Sequence, residues 1–153
     1  MKGIKLMKVF LSCDHAGIEL KNELCAYISE KVGFEAVNLG IELGERIDYP
    51  IAAENLCKKV LEEKALGILV CGTGIGMSMA ANKVNGIRAA AVSEPYSAKL
   101  TRVHNDANVL CMGARVVGTE LAKMIVDSFL YASFEGGRHQ TRVDLITDIE
   151  NRN

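Results

Sequence analysis

Leu66-Gly67-Ile68-Leu69-Val70-Cys71-Gly72-Thr73-Gly74-Ile75-Gly76-Met77-Ser78 decides the fold. An apolar run too short for a helix stops at a thiol, and three glycines within the next five residues break it before a helix-compatible stretch begins. Bounded in this way, the run reads as a buried strand, and Gly72–Gly76 as a turn into a helix. The same alternation extends outward in both directions. Strands are expected near 8–13, 35–39, 66–71, 87–92 and 108–112, with segments of helical period between them. Leu20, Leu24, Tyr27, Ile28 and Lys31 share one face of a first helix, and Leu56 and Val60 mark a second. Pro50 and Pro95 read as first-turn residues, with Asp48 and Ser93 as caps. A helix from about Thr119 to Ala132 and a last one over about 138–150 complete the chain. Strands alternating with helices predict the α/β class, with a five-stranded parallel sheet. No repeat or linker divides the sequence, so residues 1–153 are expected to form a single domain.

Composition narrows the function. Charged residues make up 24% of the chain and apolar ones 49%, a balance that excludes disorder and collagen-like structure. A formal net charge of -1 offers no broad basic field for a phosphate backbone, so nucleic acid is not an expected partner. The five cysteines, Cys13, Cys25, Cys57, Cys71 and Cys111, are odd in number and contain no C-x-x-C pair. That pattern fits reduced thiols and argues against a disulfide framework or a zinc site. The apolar stretch Val9–Leu11 is too short for a signal-peptide core, and no run approaches the roughly 20 apolar residues of a spanning helix. A cytoplasmic location away from membranes is the expectation.

In an open parallel sheet, ligands bind at the carboxyl ends of the strands, near the point where strand order reverses. Asp14-His15, Cys71–Gly76 and Ser93-Glu94 fall at such ends. The Gly72–Gly76 turn suits an anion, because glycine admits close approach and a helix N-terminus presents N–H groups. It departs from the dinucleotide fingerprint G-x-G-x-x-G, since Met77 stands where the last glycine is required, although Glu94 lies about 20 residues further on. A cysteine-phosphatase loop would need Arg at that same position. Cys71 sits at the mouth of the turn, where a thiolate can be favoured and can serve as a base. Cys13 also ends a strand and is a weaker rival; Cys25 and Cys57 read as small buried hydrophobes.

Asp14-His15 can polarise a hydroxyl, hold a phosphate oxygen or simply cap a helix. His104-Asn105-Asp106 follows a helix and precedes a strand, which is normally the opposite edge of the sheet: either that helix ends early and its loop curls over, or, the favoured reading, these residues serve a neighbouring subunit. Arg138 and Arg142, four apart on the last helix, could clamp one phosphate or form a solvated face.

Together, Cys13-Asp14-His15, Asp48-Tyr49-Pro50, Cys71–Gly76, Gly86-Ile87-Arg88, Ser93-Glu94-Pro95-Tyr96, His104-Asn105, Gly113-Ala114-Arg115 and Glu135-Gly136-Gly137-Arg138-His139 resemble the ribose-5-phosphate isomerase B family. That family includes allose- and galactose-6-phosphate isomerases. The resemblance covers nearly the whole chain; short extra sequence before Met7 is the visible departure. It implies a Rossmann-like three-layer α/β/α sandwich, a reaction without metal or cofactor, and a homodimer whose active sites combine both subunits, with room for a dimer of dimers. It also implies that the last helix packs on or near the partner. Cys71 would move the proton from C2 to C1 of the opened sugar through an enediolate, in a thiol-using branch of a family that elsewhere employs a carboxylate. The Gly72, Thr73, Gly74, Ile75 and Gly76 segment would hold the oxyanion, with the Thr73 hydroxyl adding a contact. His104 would open the ring with help from Asp14, while Asn105 contacts sugar oxygens. His15, Arg138 and Arg142 would take the phosphate, with Arg115 a further contact and Tyr49 a site wall. The implied substrate pair is ribose 5-phosphate and ribulose 5-phosphate, in the pentose phosphate pathway. A hexose 6-phosphate, and more distantly a non-catalytic nucleotide or sugar-phosphate binding module, remain as alternatives.

Overall fold

In the computed structural model, which describes residues 3–153, every expected strand and helix is present. The expected domain began at residue 1, so its first two residues lie outside the described ones. The chain runs β1 (Met7–Cys13), α1 (Ile18–Ser29), β2 (Phe34–Asn38), α2 (Tyr49–Glu63), β3 (Leu66–Cys71) and α3 (Ile75–Ala81). It continues through β4 (Ala89–Ala91), α4 (Pro95–Val103), β5 (Val109–Gly113), α5 (Thr119–Leu130) and α6 (Arg138–Asn151).

All five strands are parallel, in the order β2-β1-β3-β5-β4. Order reverses between β1 and β3, and Cys13 pairs with Val70 while Cys71 pairs with Gly113. The carboxyl ends of β1, β3 and β5 therefore lie side by side at the switch point. All six β3 residues are buried, as expected for the middle strand of a sheet covered on both faces. Alternate strand residues serve two cores. Val9, Leu11, Ile68, Val70, Leu110 and Met112 pack with α1 and α5. Phe10, Leu69, Cys71, Val109 and Cys111 pack with α2 and α3. The result is a Rossmann-like α/β/α sandwich. Ile68 has no exposed surface, so Ile68→Ala is expected to destabilise the protein by about 2–5 kcal/mol in chemical denaturation, through lost transfer energy and a cavity.

Local details depart from expectation. Leu20, Leu24 and Ile28 are buried, but Lys31 falls beyond the end of α1 and Tyr27 is half-buried. Lys31 instead pairs with Asp127 at 2.6 Å and stands over the Tyr27 ring. Among the described residues the fully buried lysine is Lys21, whose ammonium donates to the Ile41 carbonyl at 3.0 Å and to Asn22 Oδ1 at 2.6 Å. The cap of α4 is Glu94, not Ser93, because Glu94 is the extended residue and its carboxylate accepts the Ser97 N–H at 2.9 Å. Asp48 occupies the cap position of α2 without a side-chain cap bond, and Pro50 follows in the first turn as expected. β4 is only three residues long: Ile87 is tied into the preceding turn by its N–H to the Val84 carbonyl, which delays pairing with β5.

Candidate active site

Cys71 closes β3 and is 5% exposed, with its sulfur turned back over the following glycines. The Gly74 N–H donates to Cys71 Sγ at 3.0 Å. This contact fixes the direction of the sulfur at the mouth of the turn. Gly74 can take this place only as glycine: its φ is 81°, and a Cβ there would lie 2.9 Å from the Met112 backbone. Gly113 has the same role from the other side, since a Cβ there would meet Thr73 Cα at 2.6 Å. The Cys71 and Gly72 carbonyls accept the Ala114 and Arg115 N–H groups at 2.8 and 3.1 Å, locking the loop after β3 to the loop after β5.

This tight turn modifies the expected oxyanion cradle. The Gly74 amide points at the thiol, and the Ile75 amide contacts Thr73 Oγ1 at 3.3 Å. With only seven residues in α3, the individual turn N–H groups matter more than a helix dipole. The other thiols are poor bases. Burial pushes Cys13 and Cys25 up to about 11 and Cys57 up to about 12, and it also raises Cys111 well above its ordinary value. All four therefore stay protonated at neutral pH.

Other expected residues gather at the same edge. Asp14 is 8% exposed, and one oxygen accepts the Ala16 N–H at 2.9 Å, so the carboxylate caps its own turn beside the end of β3. Tyr49, the first residue of α2, lays its ring against Gly76: a Cβ there would lie 2.8 Å from the ring. The Arg115 guanidinium covers Gly72 in the same sense, at 3.3 Å. His15 is exposed and lines an open hollow of about 430 Å³ with Arg46, Ile47, Asp48 and Ile51. Arg46 is a cation beside His15 that sequence reasoning missed, because nothing in the loop Gly44–Ile47 marks it as near residue 15.

A second group lies elsewhere. His104 caps the C-terminus of α4, and β5 begins only at Val109. The four steps from Val109 to Gly113, the partner of Cys71, span about 13 Å at roughly 3.3 Å per residue. His104 and Cys71 therefore sit at opposite edges of the sheet. The His104 ring stacks on His139 with centroids 4.3 Å apart and planes 12° from parallel. Burial, with His104 and Arg138 nearby, lowers the pKa of His139, so it is neutral at pH 7. Asn105 borders a cavity of about 590 Å³ between α3, β4, α4 and α6. Asp106 serves structure, bridging Arg88 at 3.3 Å and Arg102 at 3.2 Å. Arg138 and Arg142 are both exposed on α6. His104, Glu135 and His139 each offer a metal-ligand atom within 4.8 Å of the others, a grouping that no sequence spacing announces.

The fold and site define a class: an open parallel α/β sheet with a thiol and a glycine turn at its switch point, and no described helix long and apolar enough to cross a membrane. The profile of the Ribose/Galactose Isomerase family matches residues 9–146, and the chain belongs to this family. It is 54% identical to ribose-5-phosphate isomerase B of Escherichia coli over 148 residues, covering 96% of this chain and 99% of that one. A ribose-5-phosphate isomerase B structure from Clostridium thermocellum superposes with a TM-score of 0.91 at 45% identity, covering 95% of this chain and 99% of that chain. The Mycoplasma genitalium enzyme, solved with bound ribulose-5-phosphate, gives a TM-score of 0.91 at 43% identity, covering 97% and 99%.

Proposed function

We propose that this protein is an aldose–ketose isomerase interconverting ribose 5-phosphate and ribulose 5-phosphate, with Cys71 as the base. The observation that carries this reading is the Gly74 N–H held 3.0 Å from a nearly buried sulfur at the switch point. Cys71 takes the proton from C2 of the open aldose, the electron pair passes to the C1 carbonyl oxygen to give an enediolate, the hydroxyl proton moves from O2 to O1, and Cys71 returns its proton to C1 as the C2 carbonyl forms. Amides of the Gly72–Gly76 turn that are not already committed stabilise the enediolate oxygen, a preorganised contribution that is usually the largest single one. Asp14 and Thr73 contact sugar oxygens, Tyr49 and Arg115 wall the site, and His15, with Arg46 beside it, faces the phosphate.

Ring opening needs a second acid–base group, and His104 of the same chain is about a strand's length away. The reading is therefore a homodimer in which each site takes His104, Asn105, Arg138 and Arg142 from the partner copy. The exposed apolar residues Leu145, Ile146 and Ile149 on α6, with Met79 on α3, favour burial of this side against a second copy. The whole chain, 1–153, would then act as one isomerase unit, and pairing of dimers is compatible with it.

The test is turnover by the purified protein, without added metal or nicotinamide, of ribose 5-phosphate beside allose 6-phosphate and galactose 6-phosphate, following ketose. Ribose 5-phosphate is expected to give the highest kcat/KM. Preference for a hexose phosphate would keep the chemistry and change the substrate, and no turnover of any would leave a binding module.

A further inference from the structure

We propose that His104, Glu135 and His139 form a binding site for a divalent transition-metal ion, and that an ion held there takes His104 away from the sugar. The first clause stands on geometry alone, and the second rests on the proposed function.

His139 is 6% exposed, and its Nε2 has no hydrogen-bond partner. A buried ring nitrogen left unpaired is costly and uncommon, and it calls for an explanation. Around it stand the half-buried His104 and the exposed carboxylate of Glu135, whose own N–H is anchored to the Val103 carbonyl at 3.0 Å. One ligand atom from each lies within 4.8 Å of the others. Tetrahedral zinc with bonds near 2.0–2.1 Å sets its ligands roughly 3.4 Å apart, so closure requires contraction of about an ångström. The two rings are 12° from parallel, and their in-plane lone pairs do not converge as they stand. His104, at the end of α4 and partly open to solvent, is the ring free to turn about its Cβ–Cγ bond.

Two imidazoles and one carboxylate suit Zn²⁺, Co²⁺, Ni²⁺ or Cu²⁺ and not Mg²⁺ or Ca²⁺, which prefer all-oxygen shells. Three protein ligands leave a fourth position for water. Arg138 and Arg142 place positive charge near His139 and oppose a cation, so the expected affinity is on the order of micromolar. A bound ion occupies a nitrogen that His104 needs for proton transfer and turns its ring from the stack, so the metal inhibits.

Calorimetry with zinc chloride on the full chain tests the site independently of turnover. One ion per chain is expected, with affinity at least tenfold weaker in Glu135→Gln and unchanged in Cys71→Ser. Glu135→Gln should keep metal-free isomerase activity while needing at least tenfold more zinc for inhibition. In the unsubstituted protein, the ring C–H resonances of His104 and His139 should shift on zinc addition. Absent binding, affinity indifferent to Glu135→Gln, affinity lost with Cys71→Ser, or unmoved histidine resonances would each overturn the site. Zinc bound at the site with turnover unimpaired would overturn the inhibitory clause alone. Absence of metal-free turnover would instead count against the proposed function.

Discussion

Cys71→Ala is expected to lower kcat by about 10³-fold or more, within the range that loss of a positioned acid–base group produces. That is about 4 kcal/mol of barrier, far more than the loss of a packing contact would remove from the transition state alone. The sulfur accepts one N–H from Gly74 and the side chain belongs to the core shared with α2 and α3, so alanine leaves a small void and one freed amide. The fold should tolerate this, and a non-reacting sugar-phosphate analogue should bind nearly as before. Titration of such an analogue beside stopped-time ketose assays separates the two quantities. Turnover close to that of the unsubstituted protein would move the proton transfer to a bound water or to Cys13. Cys13 starts from an unfavourable position, because burial holds its thiol near 11. Substrate binding would have to rearrange its surroundings before it could act.

Complementation carries the second large effect. Cys71→Ala and His104→Ala chains should each be nearly inactive as pure proteins. When they are co-expressed with different tags and isolated as mixed dimers, about half of normal activity per dimer should return, because two-fold symmetry rebuilds one of two sites from one good Cys71 and one good His104. The other site loses both groups. The expectation follows from topology: Cys71 ends β3 at the carboxyl edge, whereas His104 precedes β5 at the amino edge. Mixed dimers without recovered activity would put both groups in one subunit and require large movement of the α4–β5 turn. That turn is braced by Asp106 between Arg88 and Arg102, which makes such movement expensive.

Much of this protein is legible in its sequence where the cause is local. A six-residue apolar run cannot make a stable helix, a thiol followed by alternating glycines must turn, and Pro50 and Pro95 open helices because their fixed φ suits a first turn. These features yield the α/β class, the strands and the placing of Cys71 at a ligand-binding edge. Misjudged details lie where a local pattern has two readings. Lys31 continues the period of α1, yet the helix ends earlier and Lys21 is the lysine buried. Ser93 and Glu94 can both cap, and the extended backbone at Glu94 selects the latter.

Other features belong to the tertiary structure alone. Alternation implies a parallel sheet but not the order β2-β1-β3-β5-β4, because order depends on which crossover packs against which face. The stack of His104 on His139 joins residues 35 positions apart, and Arg46 reaches the hollow of His15 across α1 and β2. The direction of the Gly74 N–H toward sulfur requires the close approach of Gly113 and Met112 from another strand. Periodicity and backbone sterics act over a few residues and can be read along the chain. Contacts between distant segments exist only once packing has brought those segments together, and they decide which groups share an edge of the sheet and which lie apart.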